Sequence, residues 1–424
     1  VVSPLLRPRI RTVAILMAAL FFFISCQQAW QLVREQLQMT RATDTPSRTA
    51  TEGVQLTASS QFTHPGILNH TFHLDQARQD SSSQRVRAYN QIVYAIDNLL
   101  PYPSSFPSTV WVRTPPHPPT PSESQMWSDA LLAYAYALKW TRSGSGEDAR
   151  RAIHILDGWA DSFERIRGCS EQESGNGCPG VATDGLQRRL QAAWVAPNFA
   201  AAAEIIRHYE ADGKEAGWGA SNIRKFERFL EDLQVNYIET LVQGIHRGGT
   251  GWSENNWGAS GLWAKMSVAI FLNRVSWYND AVARSRHMIY NAIDGSGEVN
   301  ECERSNFRDC LHPQMTLTAL TFAAETSANQ GDASLYYAYS ERLIKGWDWV
   351  GRAFQGTVRC KNREFRCGSD QQIMPGVEVI HHHYGQIGTP SARIGSLKEQ
   401  QAPYGVVTRQ FIGFTSYTHP EAGN

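Results

Sequence analysis

Two short polar clusters, each set just before an apolar helical run, hold the side chains best suited to chemistry. They are Ser253-Glu254-Asn255-Asn256-Trp257-Gly258 and Asn306-Phe307-Arg308-Asp309-Cys310-Leu311-His312-Pro313-Gln314. Amides, a guanidinium and an imidazole gathered at helix starts favour an anionic group, because first-turn N–H groups and the positive end of the helix dipole add to their donors. Either Asn255 or Asn256 is placed to cap a helix beginning near Gly258, with Trp252 and Trp257 flanking the pair. Capping needs one asparagine, which leaves the second for another task. In the other cluster Pro313 suits a first helical position, which puts His312 at the cap beside Arg308, Asp309 and Gln314. Together these groups would suit a charged sugar.

Bringing them onto one rim requires helices that run the same way. Amphipathic or apolar runs at helical spacing occupy residues 128–141, 147–163, 190–209, 221–240, 258–273, 277–294, 313–329 and 333–354, separated by breaks containing Gly or Asn. They follow a Pro-rich surface segment at 101–121 and a turn at 64–68 leading into a helix with Leu74, Ala77 and Arg78. Stacked antiparallel helix pairs of this kind predict an all-α chain closing into an incomplete (α/α) toroid. A small irregular or β-containing C-terminal segment is expected beyond it, with 377–380 and 405–407 as short strands.

The 424 residues divide into an export signal at 1–25, a polar tether at 26–60 and one domain at 61–424. Arg7, Arg9 and Arg11 precede an apolar stretch at 12–25, shorter than the ~20 residues a membrane span needs. It ends in Phe23-Ile24-Ser25-Cys26, a lipoprotein-like processing site with Cys26 as the lipidated residue. The expected location is therefore periplasmic or anchored to the outer membrane, with membrane contact only through that lipid. Lys plus Arg and Asp plus Glu both number 40, so net charge argues against a nucleic-acid partner, and an anionic polymer must be attracted locally. Residues 341–366 supply a basic excess through Arg342, Lys345, Arg352, Arg359, Lys361, Arg363 and Arg366, as an anion-facing patch or a solvated face. The 13 Trp and 15 Tyr fill a core or form flat platforms for sugar rings, and a monomer is expected.

Six further cysteines fall into three local pairs: Cys169 with Cys178, Cys302 with Cys310, and Cys360 with Cys367. Disulfides suit an exported chain, although sequence leaves the connectivity open. None of the pairs has the CxxC spacing of a zinc site.

Three ordered motifs resemble the alginate lyase family of α/α toroid polysaccharide lyases over about residues 64–354. They are His64-Pro65-Gly66-Ile67-Leu68, Asn255-Asn256-Trp257-Gly258-Ala259, and Arg308-Asp309-Cys310-Leu311-His312-Pro313-Gln314-Met315 with the following Ala323-Ala324-Glu325 and Asn329-Gln330-Gly331-Asp332. The resemblance implies β-elimination on a uronic-acid polymer such as alginate, with no metal or organic cofactor. Amide or guanidinium donors would neutralise the sugar carboxylate, a His or Tyr would take the adjacent proton, and a Tyr would protonate the leaving oxygen.

Carried over by motif, Asn256 would hold the carboxylate, Arg308 would support it or the base, and His312 would be base or neutraliser. Asn255, Trp252, Trp257, Asn306 and Gln314 would line the substrate. Many members have His directly after the asparagine pair, where Trp257 stands here, and no Tyr follows Arg308 at the helix start. The acid is then sought in His381-His382-His383-Tyr384-Gly385 as Tyr384, with Tyr404 in reserve. The histidine triplet, near Glu378, can offer at most two ligands to one ion, so it either lines the cleft or forms a surface cluster. Two other functions fit the same chain. One is a glycoside hydrolase using two carboxyls among Glu254, Asp309, Asp184 and Glu301; the other is a lipoprotein that binds polysaccharide without cleaving it.

Overall fold

The structure is a computed structural model. It describes residues 56–57, 61–113, 118–169, 187–243, 254–303, 310–368, 372–386, 392–401 and 410–420, side chains at 400 and 401 excepted. All of them belong to one compact unit, Gly53–Asn424. The expected export signal, the expected lipidation residue Cys26, nearly all of the expected tether, Trp252, Asn306, Arg308, Cys178, Tyr404 and the expected strand at 405–407 lie outside the described residues.

The described chain opens with α1 (Thr71–Gln79), α2 (Ser83–Tyr94) and strand β1 (Thr109–Val112). Four helix pairs follow: α3 (Pro121–Ser143) with α4 (Gly146–Ser162), α5 (Gln187–His208) with α6 (Ala220–Leu233), α7 (Asn256–Phe271) with α8 (Val275–Ala292), and α9 (Leu311–Asn329) with α10 (Ala338–Gln355). Strand β2 (Arg165–Gly168) follows α4, and hairpin β3 (Val358–Cys360) with β4 (Arg363–Phe365) follows α10. Helices α11 (Gly376–Gln386), α12 (Ala392–Gln401) and the short α13 (Thr415–Thr418) complete the order.

Burial separates the two members of each pair. In α4 the buried positions Ala149, Ala152, Ile155, Leu156 and Trp159 form one stripe, as do Phe226, Phe229, Leu230 and Leu233 in α6. Such helices face a core on one side and water on the other. In α3, α5, α7 and α9 nearly every side chain beyond the first turn is buried, which places these four inside a ring of the others. Ala200, Ala201, Ala202 and Ala203 let α5 lie close to α3 and α7. The result is the α/α toroid expected from the helical spacing.

Short links make each outer helix run back along its inner partner, so the inner helices are parallel and start on the same rim. At α3 this start is a capping box: the Thr120 hydroxyl accepts from Glu123 N–H, the Glu123 carboxylate accepts from Thr120 N–H, and Pro121 fills the first position. Gly144, at φ 63°, ends α3 in the left-handed conformation that allows the immediate turn into α4.

The opposite rim is crossed by the loop before α1, where Phe62, Ile67, Leu68 and Asn69 are buried. His64 Nδ1 lies 2.9 Å from Glu204 on α5, and its Nε2 lies 3.1 Å from Asn273 after α7. Gln330 exchanges two hydrogen bonds with the Thr63 backbone. Gly66 is required here, because a Cβ would sit 2.1 Å from both Gln330 Nε2 and Thr63 O.

The C-terminal segment closes the ring. Residues Phe411, Ile412, Phe414 and Tyr417 are buried, and α13 packs against α1, α2 and α11. Thr415 and Ser416 hydroxyls donate to the buried Glu378 carboxylate, and Arg85 donates to Tyr417 O. Residues 377–380 are thus part of helix α11 and not a strand; a short β-branched run lacks the length to distinguish the two, and packing against α9 selects the helix. Conversely, β1 and β2 form a parallel pair that the sequence does not reveal, with Thr109 opposite Arg165 and Val112 opposite Gly168. No helix among the described residues is long and apolar enough to cross a membrane.

Candidate active site

Helices α7 and α9 are neighbours, so their first turns meet on the inner rim. Helix α7 begins at Asn256, and Asn255 is its cap, its Oδ1 accepting from Trp257 N–H at 2.9 Å. Asn256 does a different job. Its backbone N–H donates to Glu301 at 2.6 Å and its side-chain Nδ2 donates to the other oxygen of the same carboxylate at 2.8 Å. Thr316 on α9 also donates its hydroxyl to Glu301. Thr316 lies one turn beyond His312, on the same helix face.

A buried carboxylate therefore ties the amide of Asn256 to the turn that carries His312. Glu301 stands in a short turn, Asn300–Cys302, next to a disulfide cysteine. Asn256 is 1 % exposed, whereas His312 is half-buried at the rim. The Nδ2 group carries two hydrogens, and the Glu301 contact uses one of them. Helix α9 starts at Leu311 with Cys310 as its cap, so His312 and Pro313 lie within the first turn, where a missing proline N–H breaks no helical bond. The expected cap at His312 is thereby moved two residues upstream.

The disulfides depart from local pairing. Cys302 is bonded to Cys360 and Cys310 to Cys367, with Cα–Cα distances of 5.9 and 5.6 Å. Each end of the segment 303–309, which carries Asn306 and Arg308, is therefore fastened to the β3–β4 hairpin rather than to the other end. Cys169 is also disulfide-bonded, to a partner outside the described residues. The hairpin is held further by Lys361 N–H donating to Glu298 at 2.8 Å and by Phe365 stacking on Trp349 at 5.4 Å. Part of the basic excess at 341–366 is committed to structure: Arg342 donates to Tyr290 O and Ile293 O at the end of α8, and Arg352 pairs with Asp348.

Two expected site residues prove to be structural. Gln314 is fully buried, donates to Cys310 O and Gln372 O at 2.9 and 3.0 Å, and accepts from Met374 N–H at 3.0 Å. Its amide is used up in positioning the rim segments around it. Tyr384 is 2 % exposed, its hydroxyl donates to Tyr336 O at 3.0 Å, and burial pushes its acidity far out of reach of neutral pH. It lies near the end of α11, away from the rim, so it is withdrawn from the acid role. His382 is likewise buried and His383 half-buried, with burial holding both near a pKa of about 4.

Trp257 is half-buried in the first turn of α7, and Trp127 and Trp194 are half-buried early in α3 and α5. The sequence reading missed the brace of Glu301 and Thr316; Glu301 entered it only as a hydrolase carboxyl. With both oxygens occupied by hydrogen-bond donors, Glu301 is poorly placed for that role, and Glu254 accepts from Asn291 at 2.8 Å. Asp184 and Asp309 lie outside the described residues.

Solved structures of the same architecture include alginate lyase A1-III from Sphingomonas species A1, at 12 % identity and a TM-score of 0.58, covering 87 % of this chain and 100 % of that one. A variant of A1-III in complex with a tetrasaccharide matches at 11 % identity and 0.55, over 87 % and 99 %. An alginate lyase from Bacteroides ovatus matches at 9 % and 0.53, over 84 % and 99 %. Identities this low speak for the fold alone. No curated protein matches the sequence. A sequence model of the alginate lyase family matches residues 112–358, more than half of the chain and the span that contains both Asn256 and His312, so this polysaccharide lyase belongs to the alginate lyase family.

Proposed function

We propose that the enzyme cleaves an alginate-like polymer of uronic acid by β-elimination at the rim of α7 and α9. The observation that carries this reading is the Asn256–Glu301–Thr316 brace, which holds an amide donor beside the turn bearing His312. The proton next to the sugar carboxylate is weakly acidic, and charge accumulates on that carboxylate as the proton leaves. The remaining Asn256 hydrogen and the positive end of α7 stabilise the developing charge. Arg308 adds a guanidinium from the segment bracketed by the two disulfides.

His312 takes the proton from the ring carbon, a carbon–carbon double bond forms, and the bond to the glycosidic oxygen breaks. With the Tyr384 hydroxyl committed to Tyr336 O near the end of α11, His312 passes the proton on to the leaving oxygen. Trp257 and Trp252 offer ring faces to neighbouring sugars. The two crossed disulfides support an exported enzyme, tethered through a lipid at Cys26; labelling with a radioactive fatty acid, abolished by Cys26→Ser, tests the tether.

The activity test incubates the purified chain with polymannuronate, polyguluronate, polyglucuronate and a neutral glycan while near-ultraviolet absorbance of the unsaturated product is followed. Asn256→Ala and His312→Ala should each lower kcat/KM by at least ~100-fold on the polyuronate cleaved. Reducing ends appearing without that absorbance would replace the lyase reading with hydrolysis.

A further inference from the structure

A second cluster of reactive side chains lies at the other end of α9. Glu325 is 13 residues beyond His312, ~20 Å along the helix at 1.5 Å per residue. It is 4 % exposed and faces His73 from α1 and His419 from the C-terminal segment, both buried. One ligand atom from each of the three lies within 4.8 Å of the others. His419 Nε2 stands 3.7 Å from Glu325 Oε1, close to the ~3.4 Å edge of a tetrahedron with zinc-length bonds.

The hydrogen bonding leaves these atoms facing an unfilled need. His73 Nδ1 and His419 Nε2 are buried without a hydrogen-bond partner. The surrounding groups are satisfied in ways that aim the three inward. Tyr336 donates to the second oxygen of Glu325 at 2.6 Å, and His419 Nδ1 contacts Thr418 Oγ1 at 2.8 Å. Such outer contacts orient metal ligands and fix their tautomers. His382 spends Nδ1 on Pro420 O and Nε2 on Gln386, and His383 stacks on Tyr336 at 3.6 Å, so both are walls rather than ligands. Two imidazole nitrogens turned toward one buried carboxylate oxygen form a donor set that a cation between them would complete.

We propose that His73 Nδ1, Glu325 Oε1 and His419 Nε2 bind one divalent transition-metal ion of the zinc class. Two imidazoles and one carboxylate suit zinc, and water completes its coordination. The ion is remote from the rim of α7 and α9 and takes no part in elimination there. It fastens α1, α9 and the C-terminal segment, three elements distant in sequence, across the closed end of the ring.

The test uses the full chain, stripped with a chelator and then given zinc chloride alone. Elemental analysis should find one zinc per chain, and saturation at ~100 times Kd should raise Tm by about 3 °C. His73→Ala and His419→Ala should abolish both effects, and Thr418→Ala should weaken zinc binding about tenfold. Should the alanine variants fail to fold, cobalt(II) added to the stripped wild-type chain gives an independent readout through the intense visible bands of a four-coordinate ion with nitrogen and oxygen ligands. Stoichiometric zinc retained in folded His73→Ala or His419→Ala would place the metal elsewhere. Absence of any zinc or cobalt uptake by the wild-type chain would overturn the site.

Discussion

Replacing Glu301 with glutamine is the sharpest probe of the rim. The carboxylate accepts from Asn256 N–H at 2.6 Å, from Asn256 Nδ2 at 2.8 Å and from the Thr316 hydroxyl. Glutamine keeps one oxygen, which can still serve Asn256 N–H and Thr316, but it presents NH2 to Asn256 Nδ2. Two donors then face each other unless the Asn256 amide turns over. Hydrogen bonds to a charged group contribute about 1.5–3 kcal/mol each, so losing one and weakening two should cost about 2–4 kcal/mol of stability. Turning the amide also removes its aligned hydrogen from the sugar carboxylate. Misplacement of a catalytic donor by about 1 Å costs on the order of 100-fold in rate. Glu301→Gln should therefore show both a lower denaturant midpoint and a kcat/KM about 100-fold down in the absorbance assay. Thr316→Val, which removes one donor and keeps the volume, should cost about 1–2 kcal/mol and leave kcat/KM within about fivefold. A Glu301→Gln enzyme that is destabilised yet cleaves within threefold of wild type would refute the role of Asn256 as carboxylate donor.

Other variants separate structural from chemical roles. Tyr384→Phe should cost about 1 kcal/mol through the lost bond to Tyr336 O and leave kcat unchanged; a large loss of kcat would restore the tyrosine to the chemistry. Removing both crossed disulfides by Cys302→Ser with Cys310→Ser should cost at least about 4 kcal/mol, from loops separated by 58 and 57 residues, read as a fall in thermal midpoint. Asp129, 1 % exposed, has its pKa raised to about 7 by burial, which outweighs the hydrogen bonds from Trp159 and Gln125. The folded state holds this proton up to about pH 7, whereas the unfolded chain releases it near pH ~4, so stability falls as pH rises between those values and is level above them. The loss is up to about 4 kcal/mol. Asp129→Asn should therefore melt above wild type at pH 8 and match it at pH 4 in scanning calorimetry.

The helices were legible because burial imposes its spacing directly. The stripe of Ala152, Ile155, Leu156 and Trp159 announces an outer helix, and the largely apolar run of α7 announces an inner one. Parallel inner helices then follow from short connections, which is why Asn256 and His312 could be placed on one rim from motifs alone. What stayed hidden depends on partners remote in the chain. Gln314 looks like a site amide until its bonds to Gln372 and Met374 are seen. Tyr384 looks like an acid until Tyr336 O claims its hydroxyl. Cysteine spacing favours neighbours, yet the hairpin beside both ends of 303–309 draws each cysteine to a partner far along the chain. His73 and His419 carry no local signature, and Glu325 only that of a short family motif, since three separate elements bring them together.

The closure of the ring by residues 411–420 bears on how the molecule comes to exist. A chain is synthesised in order, so the stretch that seats Tyr417 against Arg85 and shields Glu378 emerges after every helix it locks. Until then the elongating polypeptide holds a complete catalytic rim on an open, unsealed scaffold, with an unshielded carboxylate and greasy faces available to chaperones and proteases. A cut just ahead of Phe411 would spare all the residues assigned to chemistry and still forfeit the enzyme.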